Sequence, residues 1–482
     1  MRRIVTALLA LLTAVVAGAL VVPADPARAA PDGVTATEVS FTGSGGVVLH
    51  GTVLTPASGT GRHPGIVMLE GAGNRGRGYL MPDARAYARH GIVTLVYDKR
   101  TVGYSLLHRD YSVLADDALA GVRLLRSRPD TDPGRVGLWA LSEGAFVAPI
   151  AANRSADVAF LITVGAVGTT VAEQTAWEYG QYLRHAGVSG SLVRTMRGTA
   201  MRSAIGAHLF PEADFDPLPL WRQVRQPVLT EWGQLDRDAV PAASRQLIGE
   251  ALRGGGNSHH TARVVPAVNH DLHVTADDGF DRLPTLPADY GDYEAAWIGN
   301  PTQPPAVQSL ASDAGRVAPT LSPPAWYDSA WAQLSILAVL LVAFVAYPVA
   351  GLIRRVRRRT RGHSPRSARC LAVLGPVTIA GTMLYMLFML ASAAKVTGPV
   401  LAGRPVPWLV LQLLAAGTVV ATVALAVGWW RGPTSLARRV GRRATTQTSR
   451  HHRNAAGPIQ VALFAAGLLF IPWALHWGLL VP

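Results

Sequence analysis

From Glu38 to Trp297, short runs of β-branched and apolar residues alternate with segments whose apolar positions recur at helical spacing. The runs predict strands at Glu38–Thr42, Val47–Leu54, Gly65–Leu69, Ile92–Tyr97, Val136–Leu141, Ala159–Val164, Val228–Trp232 and Ala262–Pro266. Helical patterns fall between most of the later ones, at Asp83–His90, Val113–Arg126, Glu143–Ala152 and Ala242–Leu252. The later strands are apolar nearly throughout, as expected of a mostly parallel sheet covered by helices on both faces. An eight-stranded α/β domain over residues 31–298 follows.

One connection is much longer than the rest. Residues 165–227 hold a helical pattern at Val171–Arg184, a Gly-Ser break near Gly187–Ser191, a second helical stretch to His208 and a proline-rich Pro211–Pro219. An insertion of this size in a compact domain is usually functional, and a helical lid over the site is the expectation. A stabilising surface excursion is the alternative.

Beyond this domain the pattern changes. Residues 299–328, with Asn300–Pro324 rich in Pro, Ser, Ala and Gln, lack a period and read as a linker. Four apolar spans follow within 329–482: Ala332–Ile353, Cys370–Ala391, Trp408–Trp430 and Ile459–Val481. Each has roughly the twenty residues that cross a bilayer, with tryptophans at several ends. Pro348, Pro376 and Pro472 interrupt them, which membrane helices tolerate. At the other end, Arg2-Arg3, the apolar Ile4–Val22 and the small-x-small Ala27-x-Ala29 read as a secretory signal peptide over residues 1–29, with an uncleaved anchor helix as the alternative.

Charge sharpens this division. The 482 residues carry a formal net charge of +14, which in a soluble chain would suggest nucleic acid as a partner. Residues 31–330, however, hold 25 Lys or Arg against 30 Asp or Glu, whereas 331–482 hold 17 basic residues and no acidic one. The excess therefore belongs to the membrane region, and nucleic acid is excluded as a partner. Residues 354–369 contain eight basic residues, 392–407 two and 431–457 seven. Positive-inside counting places the first and third loops in the cytoplasm and the α/β domain outside, at the cell membrane. The single cysteine, Cys370, makes no intramolecular disulfide.

Candidate chemistry centres on Gly137–Ala145, an apolar run ending in Ala140-x-Ser142-x-Gly144. Small residues two positions either side of a serine suit a strained strand-to-helix turn that exposes the hydroxyl as a nucleophile. A serine nucleophile needs a base and an acid that orients it, in the order Ser, Asp or Glu, His. Asp236 follows the seventh strand and its Gly233 turn, with Asp238 as the rival. His270 follows the eighth strand, with His273 as the rival. His259 and His260 lack carboxylate or cysteine partners at ligand spacing, so they read as loop residues, and neither metal nor cofactor is implied.

With these pieces in place, the chain from about His63 to Trp297 resembles the α/β-hydrolase superfamily, near its dienelactone-hydrolase-like and serine-aminopeptidase-like esterases and peptidases. The resemblance rests on Glu70-Gly71-Ala72-Gly73-Asn74, Tyr97-Asp98-Lys99-Arg100-Thr101-Val102-Gly103-Tyr104-Ser105, the serine turn, Trp232-Gly233-Gln234-Leu235-Asp236 and Asn269-His270. It implies Ser142 as nucleophile, Asp236 as orienting acid, His270 as general base, and backbone N–H groups of Ala72 and Glu143 as the oxyanion hole. Departures are Glu70 where a histidine is usual, and Ala140 and Thr101 where glycine is usual. The function expected is an extracytoplasmic, membrane-anchored serine hydrolase acting on a small-molecule or lipidic ester, thioester or amide, with membrane lipids around its helices. A catalytically degenerate binding or signalling module, a peptidase and an acyltransferase of the same fold remain alternatives. The sequence names no protein partner for the membrane region.

Overall fold

The computed structural model of the chain describes residues 33–57, 61–210, 212–307, 320–357, 365–431 and 457–482. The signal-peptide reading of residues 1–29 and the middle of the linker lie outside the described residues. Eight strands form one sheet: β1 (Val34–Thr42), β2 (Val48–Pro56), β3 (His63–Leu69), β4 (Val93–Tyr97), β5 (Thr131–Leu141), β6 (Leu161–Val164), β7 (Val228–Gly233) and β8 (His260–Val265). Their order is β1-β2-β4-β3-β5-β6-β7-β8. The β1–β2 and β2–β4 pairs are antiparallel and all later pairs parallel.

Side-chain alternation along these strands builds two cores. Val67 and Leu69 of β3 and Leu138 and Ala140 of β5 face one core, shared with α2 (Tyr111–Arg126), α3 (Gly144–Arg154) and α8 (Pro241–Gly254). Ile66, Met68, Trp139 and Leu141 face the other, shared with α1 (Met81–Arg89) and α9 (Asp292–Gly299). A parallel sheet buried on both faces is the result, and it explains why the central strands read as unbroken apolar runs.

Several boundaries differ from the sequence reading. β1 starts at Val34, four residues early, because its partner β2 continues to Pro56. β5 starts at Thr131, where Pro133-Gly134 hides the strand pattern and the register to β3 shifts. His260 opens β8 and meets Thr230 Oγ1 at 3.0 Å, so it is a strand residue and not a loop residue. Helix α9 has no counterpart in the sequence reading. The proline-rich 211–219 segment includes part of a short helix, α7 (Leu218–Trp221).

Residues 165–227 form a helical layer between β6 and β7. It contains α4 (Val171–His185), α5 (Ser191–Thr195), a π-helical turn at Met196–Ala200, α6 (Met201–Gly206) and α7. Thr170 and Glu173 close a capping box at the start of α4.

Four long helices complete the chain: α10 (Ala330–Val356), α11 (Arg366–Ala391), α12 (Val406–Arg431) and α13 (Pro458–His476). All four are long and apolar enough to cross a membrane. The fourth stops at His476 and not at Val481, because Gly478 adopts φ +75° and Leu479 N–H turns back to the Ala474 carbonyl. Val342, Leu384, Leu413 and Val420 point outward, while Phe344 packs on Gly375 and Thr422 on Gly467 inside the bundle. Small residues at such crossings let helices approach where no hydrophobic effect drives them together.

The two parts share a core. Leu183, Leu192, Met196 and Met201 of the 165–227 layer are buried in one cluster with Leu340, Trp408, Phe470 and Trp477 of the bundle. Polar contacts frame it: Trp408 Nε1 and Gln412 Nε2 donate to Ser191 Oγ, each at 3.2 Å, and Thr195 Oγ1 donates to the Trp477 carbonyl. Arg202 pairs with the buried Asp328 of a 3-10 turn at Trp326–Asp328, which makes the end of the linker a folded joint. The layer sits at the bundle end formed by the starts of α10 and α12 and the finishes of α11 and α13.

Candidate active site

Ser142 stands between the end of β5 and the start of α3 with φ +52°, a left-handed conformation costly to any residue with a Cβ. Its N–H donates to the Val164 carbonyl at the end of β6, and its carbonyl accepts from Ala145 N–H as α3 begins. Gly144 permits the turn to close, because a Cβ there would stand 2.8 Å from the Leu69 carbonyl. Strain of this kind survives only where the surroundings over-determine it, and it clusters at functional sites.

Asp236 follows β7 in a turn closed by its own N–H to the Gly233 carbonyl. It is fully buried. One carboxylate oxygen accepts from the N–H groups of Asp238 (2.8 Å) and Ala239 (3.0 Å); the other lies 2.9 Å from His270 Nδ1. That pairing makes Nδ1 the donor and turns Nε2 the other way. Nε2 is buried and has no hydrogen-bond partner among the described residues. The His270 ring lies on Gly165, whose φ is +60°, and a methyl group there would overlap the ring. Gly165 is the next residue after Val164, to which Ser142 is bonded. Serine turn, imidazole and carboxylate therefore gather at one sheet edge.

The rivals are placed elsewhere. His273 is fully buried, with Nδ1 on the Leu283 carbonyl at 2.9 Å and Nε2 3.2 Å from Asp83. Asp238 supplies its N–H to Asp236, while its carboxylate lies against the Tyr182 hydroxyl of α4.

The loop carrying Ala72 passes beside the serine: a Cβ on Gly71 would lie 3.4 Å from Ser142 Cβ. Lys99 Nζ donates to the carbonyls of Gly71 and, at 2.9 Å, Gly73. Because a trans peptide directs N–H opposite to C=O, the Ala72 N–H points away from Lys99. Lys99 also pairs with Glu143 Oε1 at 2.9 Å, and both side chains are buried. Tyr104 donates its hydroxyl to the same oxygen (2.7 Å) and accepts from Gly73 N–H (3.0 Å), while Arg109 reaches Glu143 Oε2 at 3.1 Å. The residue after the serine thus ties the loop to α3 through its side chain. Sequence reading assigned Glu143 only a backbone role. A run of charged residues straight after a strand, Asp98-Lys99-Arg100, was the available signal. Glu70 accepts from Arg75 N–H at 2.6 Å, and burial raises its pKa against the opposing pull of Lys99. Among the described residues no cluster of three His, Cys, Asp or Glu could hold a metal.

Burial alone would lower the pKa of His270. Asp236, through its charge and hydrogen bond, with Asp238 and Asp271 beyond it, outweighs burial and pushes the value up to about 10.

No family model matches the chain, and no curated protein matches it. Solved structures similar to it include an esterase of Pyrococcus furiosus, at 17% identity over 51% of this chain and 87% of that one, TM-score 0.37. A dienelactone-hydrolase-like promiscuous phosphotriesterase from metagenomic libraries matches at 14% identity over 56% and 96%, TM-score 0.37. An acylaminoacyl peptidase of Pyrococcus horikoshii matches at 17% over 48% and 37%, TM-score 0.34. Likenesses this distant say nothing of chemistry. On its own strand order, its strained serine turn at the end of β5 and the helical insertion after β6, the domain from β1 to α9 has the α/β-hydrolase fold, joined to four candidate membrane-spanning helices.

Proposed function

We propose that the protein is a serine hydrolase that cleaves a carboxylic ester, or a related thioester or amide, through an acyl-enzyme on Ser142, and that it works at the outer face of the cell membrane. One observation carries the reading: a buried His270 Nε2 with no hydrogen-bond partner among the described residues, in a ring that lies on Gly165, the residue after the Val164 carbonyl that holds the N–H of a serine at φ +52°, with Asp236 fixing the other ring nitrogen.

In this mechanism Ser142 Oγ attacks the acyl carbon while His270 Nε2 takes the hydroxyl proton. The carbonyl oxygen becomes an oxyanion, stabilised by the N–H groups of Ala72 and Glu143; losing one such donor typically costs about 10²–10³ in rate. Collapse breaks the bond to the leaving group, which departs with the proton from His270. Water then attacks the acyl-enzyme, gives a proton to Nε2 and releases the acid as that proton returns to Ser142. Asp236 stays ionised throughout and stabilises the imidazolium.

The outward location rests on the charge pattern. The hydrolase layer sits at the bundle end opposite the ends joined by the basic segments 354–369 and 431–457. Turnover of short p-nitrophenyl esters by the full-length protein tests the chemistry. The expected result is hydrolysis that falls to background in Ser142→Ala; equal rates in the two proteins would sink the assignment.

A further inference from the structure

Helix α4 carries Gln174, Glu178 and Tyr182 four residues apart, on one stripe facing the turn that bears Asp236. Gln174 Nε2 donates to the Asp238 carbonyl at 2.6 Å and to Glu178 Oε2 at 3.2 Å. The Tyr182 side chain faces the Asp238 carboxylate closely enough for that charge to act on its hydroxyl. Asp238 N–H in turn holds Asp236. At the far side of the stripe stands a residue from the other half of the molecule. Lys395, in the loop between α11 and α12, pairs with Glu178 Oε1 at 3.3 Å and lies 4.4 Å from the centre of the Tyr182 ring.

We propose that Lys395 is a positioning residue of the hydrolase site, supplied by the membrane region, acting through Glu178 and Tyr182 on the Asp238–Asp236–His270 chain. This rests on the reading of Ser142, Asp236 and His270 given above. The α11–α12 loop then acts on the site from the far side of α4, and the membrane region takes part in the chemistry beyond anchoring it.

The surroundings support the assignment. The groups that act electrostatically on this chain are Asp236 and Asp238 after β7, His270 and Asp271 after β8, Glu178 on α4, Arg75 in the Ala72 loop, and Lys395. Burial, and next the Asp238 charge, raise Glu178 to about 7, while Lys395 pulls it back. Lys395 is the cation that pairs with Glu178, against four acids near one imidazole. Its side chain is 42% exposed, so solvent screens the pair and the effect is moderate. Asp238 and Glu178 also act on Tyr182, so the lysine touches Tyr182, which faces Asp238, and Glu178, which holds the Gln174 amide that donates to the Asp238 carbonyl.

The test uses the full-length protein in lipid nanodiscs with a p-nitrophenyl ester, reading kcat, KM and the acid limb of kcat/KM against pH. Lys395→Met leaves the acids uncompensated, so the limb moves to higher pH and kcat falls about three- to tenfold with little change in KM. Lys395→Arg restores both. Glu178→Gln breaks the same pair from the other side and moves the limb down, and Glu178→Gln with Lys395→Met returns it toward the wild-type position. A purely structural contact would give shifts of one sign. Should Lys395→Met fail to fold, the opposite movement in Glu178→Gln still decides the matter. Unchanged limbs in Lys395→Met or in Glu178→Gln, in a wild type that labels at Ser142 with a fluorophosphonate, would overturn the proposal alone. A wild type that neither labels nor turns over would remove the reaction itself, and the proposal with it.

Discussion

His270 holds its proton more tightly than a free imidazole because three carboxylates outweigh its burial. Since the folded-state value of about 10 lies above the ordinary 6.5, this group contributes stability that is fully present below pH 6.5 and lost as pH rises through about 10. Activity runs the other way, because a base must be unprotonated to accept from Ser142. The expected outcome is a kcat/KM that climbs from neutral pH toward about 10, with the limb moved lower in Asp238→Asn, which keeps the backbone donor to Asp236. Lys99 makes a different prediction. Its pair with Glu143 is buried, so Lys99→Met removes one of that carboxylate's two cations and leaves Arg109 on the other oxygen; a loss of about 1–3 kcal/mol in unfolding experiments is expected, with slower ester hydrolysis as the Ala72 loop loosens. Residue order brought Asp236 and His270 forward as candidates but left Asp238 and His273 open. Turn geometry places them differently: Asp238 N–H serves Asp236, and His273 turns into a separate pair with Asp83. Lys99 and Glu143 are 44 positions apart, and nothing local announces that two charges will be buried together.

Among the elements, the strands were the most legible. Apolar runs in β3 to β7 are dictated by burial on both faces, a constraint each strand expresses alone. Boundaries failed where a partner sets them: β1 extends because β2 does, and β5 begins before its proline. The helical insertion was visible as a long connection, but its packing partner was not, since Leu192 or Met196 reads as the core face of any amphipathic helix. In the folded chain those residues meet the four-helix bundle. Leu192→Ala therefore removes a side chain from an interface core, and a cost of about 3–5 kcal/mol is expected. Thermal melting in detergent, followed separately by near-ultraviolet tryptophan signals and by ester hydrolysis, checks it: both transitions fall together if layer and bundle unfold as one unit.

At the scale of the whole molecule, a hydrolase-fold domain and four candidate membrane-spanning helices share a core, and Lys395 of the helical region pairs with Glu178 of the domain. Outward orientation predicts a labelling pattern in intact cells. In a Cys370→Ser background, a membrane-impermeant maleimide should react with Ser105→Cys, an exposed position of the hydrolase domain, and not with Thr446→Cys in the basic 431–457 segment. The reverse pattern would place the domain inside. Whether Ser142 is the nucleophile is decided by mass-spectrometric mapping of a fluorophosphonate adduct on the full-length protein. One adduct is expected, on Ser142, absent from Ser142→Ala and strongly slowed in His270→Ala; an adduct on another residue, or equal labelling of Ser142→Ala, would rule Ser142 out.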